Sequence, residues 1–218
     1  GITMNGAGTI DTDASTTLTY GGVITGTGAL TKSGSGTLTL SGTNTYTGST
    51  IVSDGTLQLT GSLNNLTAVT VNSGASLDLQ ASQTIASLDL DGSITRSAGT
   101  STLTVSGTSD LGGNVTTSGS QTYTGAATLS AANTLTTTNS NITFSDTVNS
   151  DGTTRNLTIN AGTGTTQFAG IVGGTSALGI IDINGSLDLD AAIADAASLD
   201  ISGTSNIGAD VTTTGTQG

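Results

Sequence analysis

The sequence predicts an all-β chain wound as a parallel β-helix, a solenoid of roughly 20 residues per coil. Three observations point there. Aliphatic and polar residues alternate with period two in short runs, Gly, Asn, Ser and Asp cluster between the runs, and the runs recur at a fixed longer interval.

The alternation is clear in Thr37-Leu38-Thr39-Leu40, Thr56-Leu57-Gln58-Leu59, Val69-Thr70-Val71 and Leu77-Asp78-Leu79. It continues in Leu88-Asp89-Leu90, Leu103-Thr104-Val105, Ile142-Thr143-Phe144, Leu157-Thr158-Ile159, Leu187-Asp188-Leu189 and Leu199-Asp200-Ile201. Successive side chains of a strand point to opposite faces, so each run places aliphatics on one side and Thr or Asp on the other. β-Branched Thr, Val and Ile favour the pleated backbone. Gly and Asn between the runs supply bends, because both tolerate positive φ.

Gly36-Thr37-Leu38-Thr39-Leu40 matches Gly55-Thr56-Leu57-Gln58-Leu59 at a shift of about 19 residues. Such a period is one solenoid turn of two or three short strands, each stacking on its counterpart at about 4.8 Å. The expected interior is a ladder of Leu, Ile and Val, with outward Thr and Asp in water. About eleven coils would make a rod about 50 Å long. A longer repeat is also present. Residues 103–121 (LTVSGTSDLGGNVTTSGSQ) and 199–217 (LDISGTSNIGADVTTTGTQ) are identical at 11 of 19 positions. With upstream matches the copies extend over 88–121 and 187–217. The second copy stops in mid-repeat and Gly1 reads as an internal residue. Residues 1–218 are therefore expected to be one continuous segment of a longer array.

Composition excludes many functions. The chain has 218 residues, 33 of them Gly, with no Pro, Cys, Trp or His, and every acid is Asp. Without His and Cys, zinc, haem, iron–sulfur and thiol chemistries lose their usual ligands, and His-based triads are absent. Three Lys+Arg against 15 Asp+Glu, a net charge of -12, argue against nucleic acid and anionic membrane partners. Thr is roughly a fifth of the residues, while the strong helix formers Glu, Lys, Arg and Met are scarce or missing. High Gly and Ser could suit a disordered linker, but the patterned 33% hydrophobic content does not. No stretch approaches a transmembrane helix or a signal peptide.

Residues 28–59, GALTKSGSGTLTLSGTNTYTGSTIVSDGTLQL, carry an ordered motif: Leu30-Thr31-Lys32, Gly34, Gly36, Leu38, Leu40, Gly42, Asn44-Thr45-Tyr46-Thr47-Gly48, Val52, Gly55, Leu57 and Leu59. It resembles the autotransporter-associated β-strand repeat of bacterial type V secreted passengers. The remainder, with Gln121-Thr122-Tyr123-Thr124-Gly125, resembles the long repeats of filamentous-haemagglutinin-like surface proteins. The resemblance implies a right-handed β-helix, export to the outer surface, and adhesion or surface display. The C-terminal membrane barrel of that family has no counterpart in this sequence, which leaves the secretion route open.

Several residues invite a chemical reading. Asp89/Asp91 and Asp188/Asp190 each put two carboxylates on one strand face, two residues apart. Ca²⁺ takes such oxygens, but neither an EF-hand loop nor a Gly-Gly-x-Gly-x-Asp run is present. The pairs are read first as a solvated face that discourages sideways sheet pairing, with weak Ca²⁺ binding as the alternative and no cofactor expected. Parallel β-helices also host polysaccharide-active enzymes, which need paired carboxylates or a base and a cation. Lys32, Arg96 and Arg155 lie in different coils and no long loop builds a cleft, so catalysis is not expected. Thr-x-Thr pairs at Thr45/Thr47, Thr102/Thr104, Thr122/Thr124 and Thr134/Thr136 raise the question of ice binding. They do not recur at one fixed place in every coil, so they are read as ordinary outward threonines. Tyr46 and Tyr123, in matching Thr-Tyr-Thr-Gly settings, are read as rings that close the apolar interior over a bend. Asn65-Leu66-Thr67 and Asn156-Leu157-Thr158 are the glycosylation triplets expected by chance in so Asn- and Thr-rich a chain.

The functional expectation is a non-catalytic rod or stalk of an extracellular bacterial adhesin or filament. Its partner would be itself, through unpaired terminal strands or further repeats. The alternatives are a face that binds cell-surface glycans or host protein and, behind it, a polysaccharide-active enzyme.

Overall fold

A computed structural model describes residues 1–215. Among them there is no helix. Parallel strands stack as a β-solenoid of about 11 turns with about 20 residues per turn. Every strand listed by its alternation above is a strand in the molecule. The last residues of the second long-repeat copy, 216 and 217, lie outside the described residues.

Three faces make up a coil. Face one stacks Thr17–Tyr20, Thr37–Leu40, Thr56–Leu59, Ser76–Leu79, Ser93–Thr95, Val115–Thr116 and Asn133–Thr136. Face two stacks Gly8–Asp11, Leu30–Ser33, Thr50–Val52, Ala68–Val71, Ser87–Leu90, Ser109–Leu111, Ala127–Leu129 and Val148–Ser150. Face three opens with the parallel pair Ile2–Met4 and Ile24–Gly26, has no regular strand in the next two coils, and resumes at Gln83–Ile85, Leu103–Val105, Gln121–Tyr123 and Ile142–Phe144. Beyond these, the longer strands Arg155–Phe168 and Leu178–Leu189 turn the corner from face one to face three, and Ile193–Ile201 runs from face two onto face one.

The interior follows from strict register. On face one Leu18, Leu38, Leu57, Leu77, Ile94, Val115, Leu135, Ile159, Ile183 and Ile201 stand directly above one another. All from Leu38 to Ile183 are at most 1% exposed. Burying an aliphatic side chain fully contributes roughly 1.5–3 kcal/mol relative to leaving it exposed. Here each coil obtains that burial from the coils above and below.

The other faces correct the expected aliphatic interior. On face three the inward row runs Ile85, Val105, Tyr123, Phe144, Phe168, Leu189, Ile207. Its rings stack at centroid separations of 5.0 Å (Tyr123–Phe144) and 5.3 Å (Phe144–Phe168). Buried amides occupy other inward positions. Between Gly26 and Gln83, where face three has no regular strand, they supply its missing ladder bonds. The Ile24 N–H donates to Asn44 Oδ1 at 3.0 Å, and the Leu63 N–H donates to Gln83 Oε1 at 3.0 Å. Asn44 Nδ2 donates in turn to the Gly42 and Ser62 carbonyls, each at 3.1 Å. A buried backbone N–H must find a partner. Where Thr43 to Thr47 leaves the ladder, a side chain meets that need.

Bends need glycine where coils touch. Gly55 has φ of 63°, and a Cβ there would lie 2.4 Å from the Gly36 carbonyl oxygen. At Gly48 a Cβ would lie 2.2 Å from the Gly28 oxygen. Both contacts are too close for any side chain.

Candidate functional site

The motif residues of the 28–59 segment form a structural unit. Leu38, Leu40, Val52, Leu57 and Leu59 have no exposed surface. Gly36, Gly48 and Gly55 sit at the close contacts between coils. Asn44 bridges coils, as described. Tyr46 is fully buried just beyond the Thr43 bridge, and its hydroxyl lies 2.6 Å from Thr50 Oγ1. Burial raises its pKa to about 12. Tyr123 is equally buried, but it lies within a strand and its ring belongs to the aromatic row. Its hydroxyl donates to Gln121 Oε1 at 3.1 Å, and burial pushes its pKa up. Neither ring is available to stack on a ligand.

Lys32 is the residue whose setting its sequence did not announce. Its side chain points inward with 0% exposure, and Nζ donates to three carbonyls, of Ser33 (2.8 Å), Gly34 (2.6 Å) and Asp54 (3.1 Å). Burial lowers its pKa, and the charges of Asp54 and Asp11 partly restore it. The ammonium thereby pins the Ser33–Gly34 bend to the next coil. Arg96 donates to the Gly99 carbonyl at 3.0 Å, and Arg155 pairs with Asp151 at 2.8 Å. The three cations are thus held in separate coils.

The carboxylates divide into three settings. Asp78 corrects the expectation that outward Asp face water, since it is only 4% exposed. Gln58 Nε2 and Gln80 Nε2 donate to it at 3.0 Å each, and the Ser97 N–H donates at 2.8 Å, with the Ser97 hydroxyl beside it at 2.5 Å. Burial alone would raise its pKa, but the donors from Ser97, Gln58 and Gln80 outweigh that and hold it below the ordinary value. Thr39, 7% exposed, joins the same row by donating to Gln58 Oε1 at 3.0 Å. Neighbouring coils bring outward polar side chains close enough to cover one another.

Asp89 is exposed and stands in register with Asp110 of the next coil, in a shallow groove of about 390 Å³ that Thr70 and Thr128 also line. Its pKa is raised by partial burial, then by the charges of Asp91 and Asp110. Asp188 stands in register with Asn206, whose Nδ2 donates to it at 2.8 Å, and Asp190 accepts from Gln167 Nε2 at 2.8 Å. The two sequence-matched pairs therefore differ: one meets a further carboxylate, the other meets amides. Among the described residues no cluster of three or more His, Cys, Asp or Glu side chains could hold a metal ion.

The structure also reveals what the linear Thr-x-Thr search missed. The central outward positions of face three are Thr84, Thr104, Thr122 and Thr143, one directly above the next in four successive strands. Only two of the four pairs contribute a member, Thr104 and Thr122, and the intervals between successive members vary, so counting along the chain hides the row.

With this geometry in view, residues 30–59 match the family model described as passenger-associated-transport-repeat. The matched segment is the unit built around buried Lys32, Asn44 and Tyr46, and it coincides with the motif read from the sequence. Those coils are thus similar to an autotransporter passenger repeat. No curated protein and no solved structure matches the chain. Among the described residues no helix is long and apolar enough to cross a membrane.

Proposed function

We propose that this chain is a rod segment of a passenger displayed on a bacterial outer surface, and that it acts by its architecture and not by catalysis. The observation that carries the reading is the uninterrupted face-one ladder from Leu38 to Ile183, with every member buried. A ladder of nearest-neighbour contacts holds an elongated body together without a globular core, and its length grows with coil number. The passenger repeat at 30–59 supports surface display. The separate engagement of Lys32, Arg96 and Arg155 supports a non-catalytic role. A net charge of -12 favours mutual repulsion of neighbouring rods. Further coils, from the same chain or a second copy, are the natural partners of the terminal strands.

Two measurements test this. Small-angle scattering should give an elongated particle about 50 Å long at about 4.8 Å per coil. Antibodies raised against the chain should label intact cells that produce the parent protein. A compact sphere, or labelling only after permeabilisation, would defeat the reading.

A further inference from the structure

Thr-x-x-Gly-Ala-x-Thr occurs three times in the chain, at residues 3–9, 25–31 and 122–128. Each copy carries the chain from face three onto face two. The copy at 25–31 stands on the copy at 3–9, and the copy at 122–128 stands on residues 104–110. The lower half of that last joint, residues 103–111, recurs in the long repeat at 199–207. Among the described residues no strand pairs with the upper side of Ser205–Ile207, and none with the lower side of Gly8–Asp11. One internal joint is thus present a second time as two unmatched halves, at opposite ends of the rod.

Two residues fit the halves to each other. At the bends, the glycine of an upper coil lies against the glycine of the coil beneath. A Cβ at Gly125 would lie 2.7 Å from the Gly107 oxygen, and one at Gly28 would run into the Gly6 oxygen. Gly6 holds the same place in its own copy of the signature. Yet a Cβ there would meet nothing within 4 Å, and among the described residues Gly6 is the one glycine with neither such a contact nor a positive φ. A coil beneath it would supply the reason for glycine. The second residue is Asn206, which stands where the first copy has Asp110. In the internal joint the Ser130 hydroxyl donates to Asp110. The residue equivalent to Ser130 in the copy at 3–9 is Asp11. A carboxylate at position 206 would repel Asp11, but the Asn206 amide can donate to it. Nδ2 has two N–H groups and gives one to Asp188 at 2.8 Å. Donor and acceptor have exchanged places together.

We propose that the chain joins head to tail with a second copy of itself, the signature coil at residues 3–9 of one copy seated on residues 199–207 of the other. The inference rests on the rod reading above and names its partner. The copies at 25–31 and 122–128 are already seated, which leaves 3–9 for this place. The internal joint sets the register: Met4 on Ile201, Gly6 on Gly203, Gly8 on Ser205, Thr9 on Asn206 and Ile10 on Ile207. Main-chain ladder bonds hold the added strands, as in strand addition to any open edge. Ile207, 46% exposed, gains the cover that its counterpart Leu111 already has. A coil of about 20 residues is as many as the roughly 20–30 residues a side of a standard interface. Because unlike surfaces meet, the contact does not close on itself, and repeated copies form a filament. Gly8–Asp11 of face two meets Ser205–Ile207 of face three, so each copy is turned by one face against the last.

The test uses the 218-residue chain, sedimentation velocity over a range of concentrations, and electron microscopy. The parent should sediment as larger species as concentration rises and form thin filaments. Gly6→Val should stay a single chain, because the new side chain has room within its own copy and none against Gly203. Asn206→Asp should lose association, and adding Asp11→Ser to it should restore association by rebuilding the Ser130–Asp110 pairing. Rescue from the far end of the chain separates the joint from repulsion by Asp188 within one copy. Circular dichroism and melting curves establish that the variants fold, and should Gly6→Val not fold, the Asn206/Asp11 exchange decides alone. For the register, a mixture of Ile10→Cys chains and Ile207→Cys chains should oxidise to a dimer, since in-register neighbours lie within disulfide reach. A mixture of Met4→Cys and Ile207→Cys chains, the pairing of like faces, should stay reduced. A parent that is monomeric at every concentration, a folded Gly6→Val that associates as the parent does, absence of rescue by Asp11→Ser, or closure of Met4→Cys with Ile207→Cys in preference would each overturn the proposal. Scattering from dilute single chains tests the rod separately, so a failed joint still leaves an elongated particle.

Discussion

The two copies of the long repeat, residues 103–121 and 199–217, share 11 of 19 residues, yet the described part of the second, 199–215, stands on different faces of the solenoid from its counterpart. Leu103–Val105 belongs to face three, and its counterpart Leu199 to Ile201 pairs with Ile181 to Ile183 on face one. Ser109–Leu111 belongs to face two, and its counterpart Ser205–Ile207 extends face three. Between Leu103 and Leu199 the chain returns to face three at Gln121, Ile142, Thr166 and Leu187, then crosses face two at Ile193 before reaching face one. That is four coils and two-thirds of another. The lesson is that a face asks a strand only for alternation and a bend, so one sequence serves on any of them. What is preserved is local stacking: Leu88-Asp89-Leu90 lies under Ser109–Leu111, and Leu187-Asp188-Leu189 lies under Ser205–Ile207.

Substitutions can break this comparison at several scales. The largest effect should come from the aromatic row that lies between the two copies. Phe144→Ala should cost about 3–5 kcal/mol, because it removes a fully packed ring and both its stacking partners remain. Chemical denaturation would measure it, and a loss under 1 kcal/mol would mean the row is loosely packed. Next come equivalent letters of the two copies. Leu111 is 0% exposed and Ile207 is 46% exposed. Leu111→Ala should cost about 2–5 kcal/mol, and Ile207→Ala clearly less, since burial in a solenoid comes from the coil above. Equal costs would show that the residue, not its neighbour, sets the energy.

The carboxylates give smaller effects with a pH signature. Asp78→Ala strands the donors of Ser97, Gln58 and Gln80 and should cost about 1–3 kcal/mol at neutral pH. Asp78 titrates below its ordinary value, so its contribution is complete above the unfolded carboxylate pKa and is lost as pH falls through the folded one. The parent and Asp78→Ala should therefore converge in acid. Asp89 has the opposite sign. Its folded pKa is raised, so its term favours folding at low pH and fades as pH rises through that value. Asp110→Asn should then stabilise by about 0.2–1 kcal/mol at neutral pH, and Asn206→Asp should destabilise by a similar amount. Both differences should vanish in acid. Denaturation midpoints across pH 3–7 would show it, and a pH-independent difference would rule out like-charge repulsion as the cause.

The strand stack and its period were legible because alternation and Gly-bounded bends are local signals. The 30–59 unit was legible because its motif is long and ordered. The faces were not, because coil lengths vary and register between coils is a tertiary property. Leu103 and Leu199 look interchangeable until the intervening coils are traced. The burial of Asp78 and Lys32 was hidden for a related reason: their partners Ser97 and Asp54 lie one coil on, and nothing in either residue's own strand announces them. The Thr84-to-Thr143 row became visible only when its four strands were laid in register. The aromatic row escaped because Tyr123, Phe144 and Phe168 are far apart in sequence, and the matching Thr-Tyr-Thr-Gly settings pair Tyr123 with Tyr46 and not with Phe144.

Disulfide trapping tests the one-face rotation of the second copy most directly. The register places Gln167 beside Asp188 on face three, within the Cα separation of about 4.4–6.8 Å that a disulfide spans. The double variant Gln167→Cys/Asp188→Cys should therefore oxidise within one chain to a single bond, seen by mass spectrometry. A copy standing on face two, as the first does, would instead bring Asp188 beside the Ile171 to Gly173 segment. Efficient closure of Ile171→Cys/Asp188→Cys, with Gln167→Cys/Asp188→Cys remaining reduced, would contradict the account.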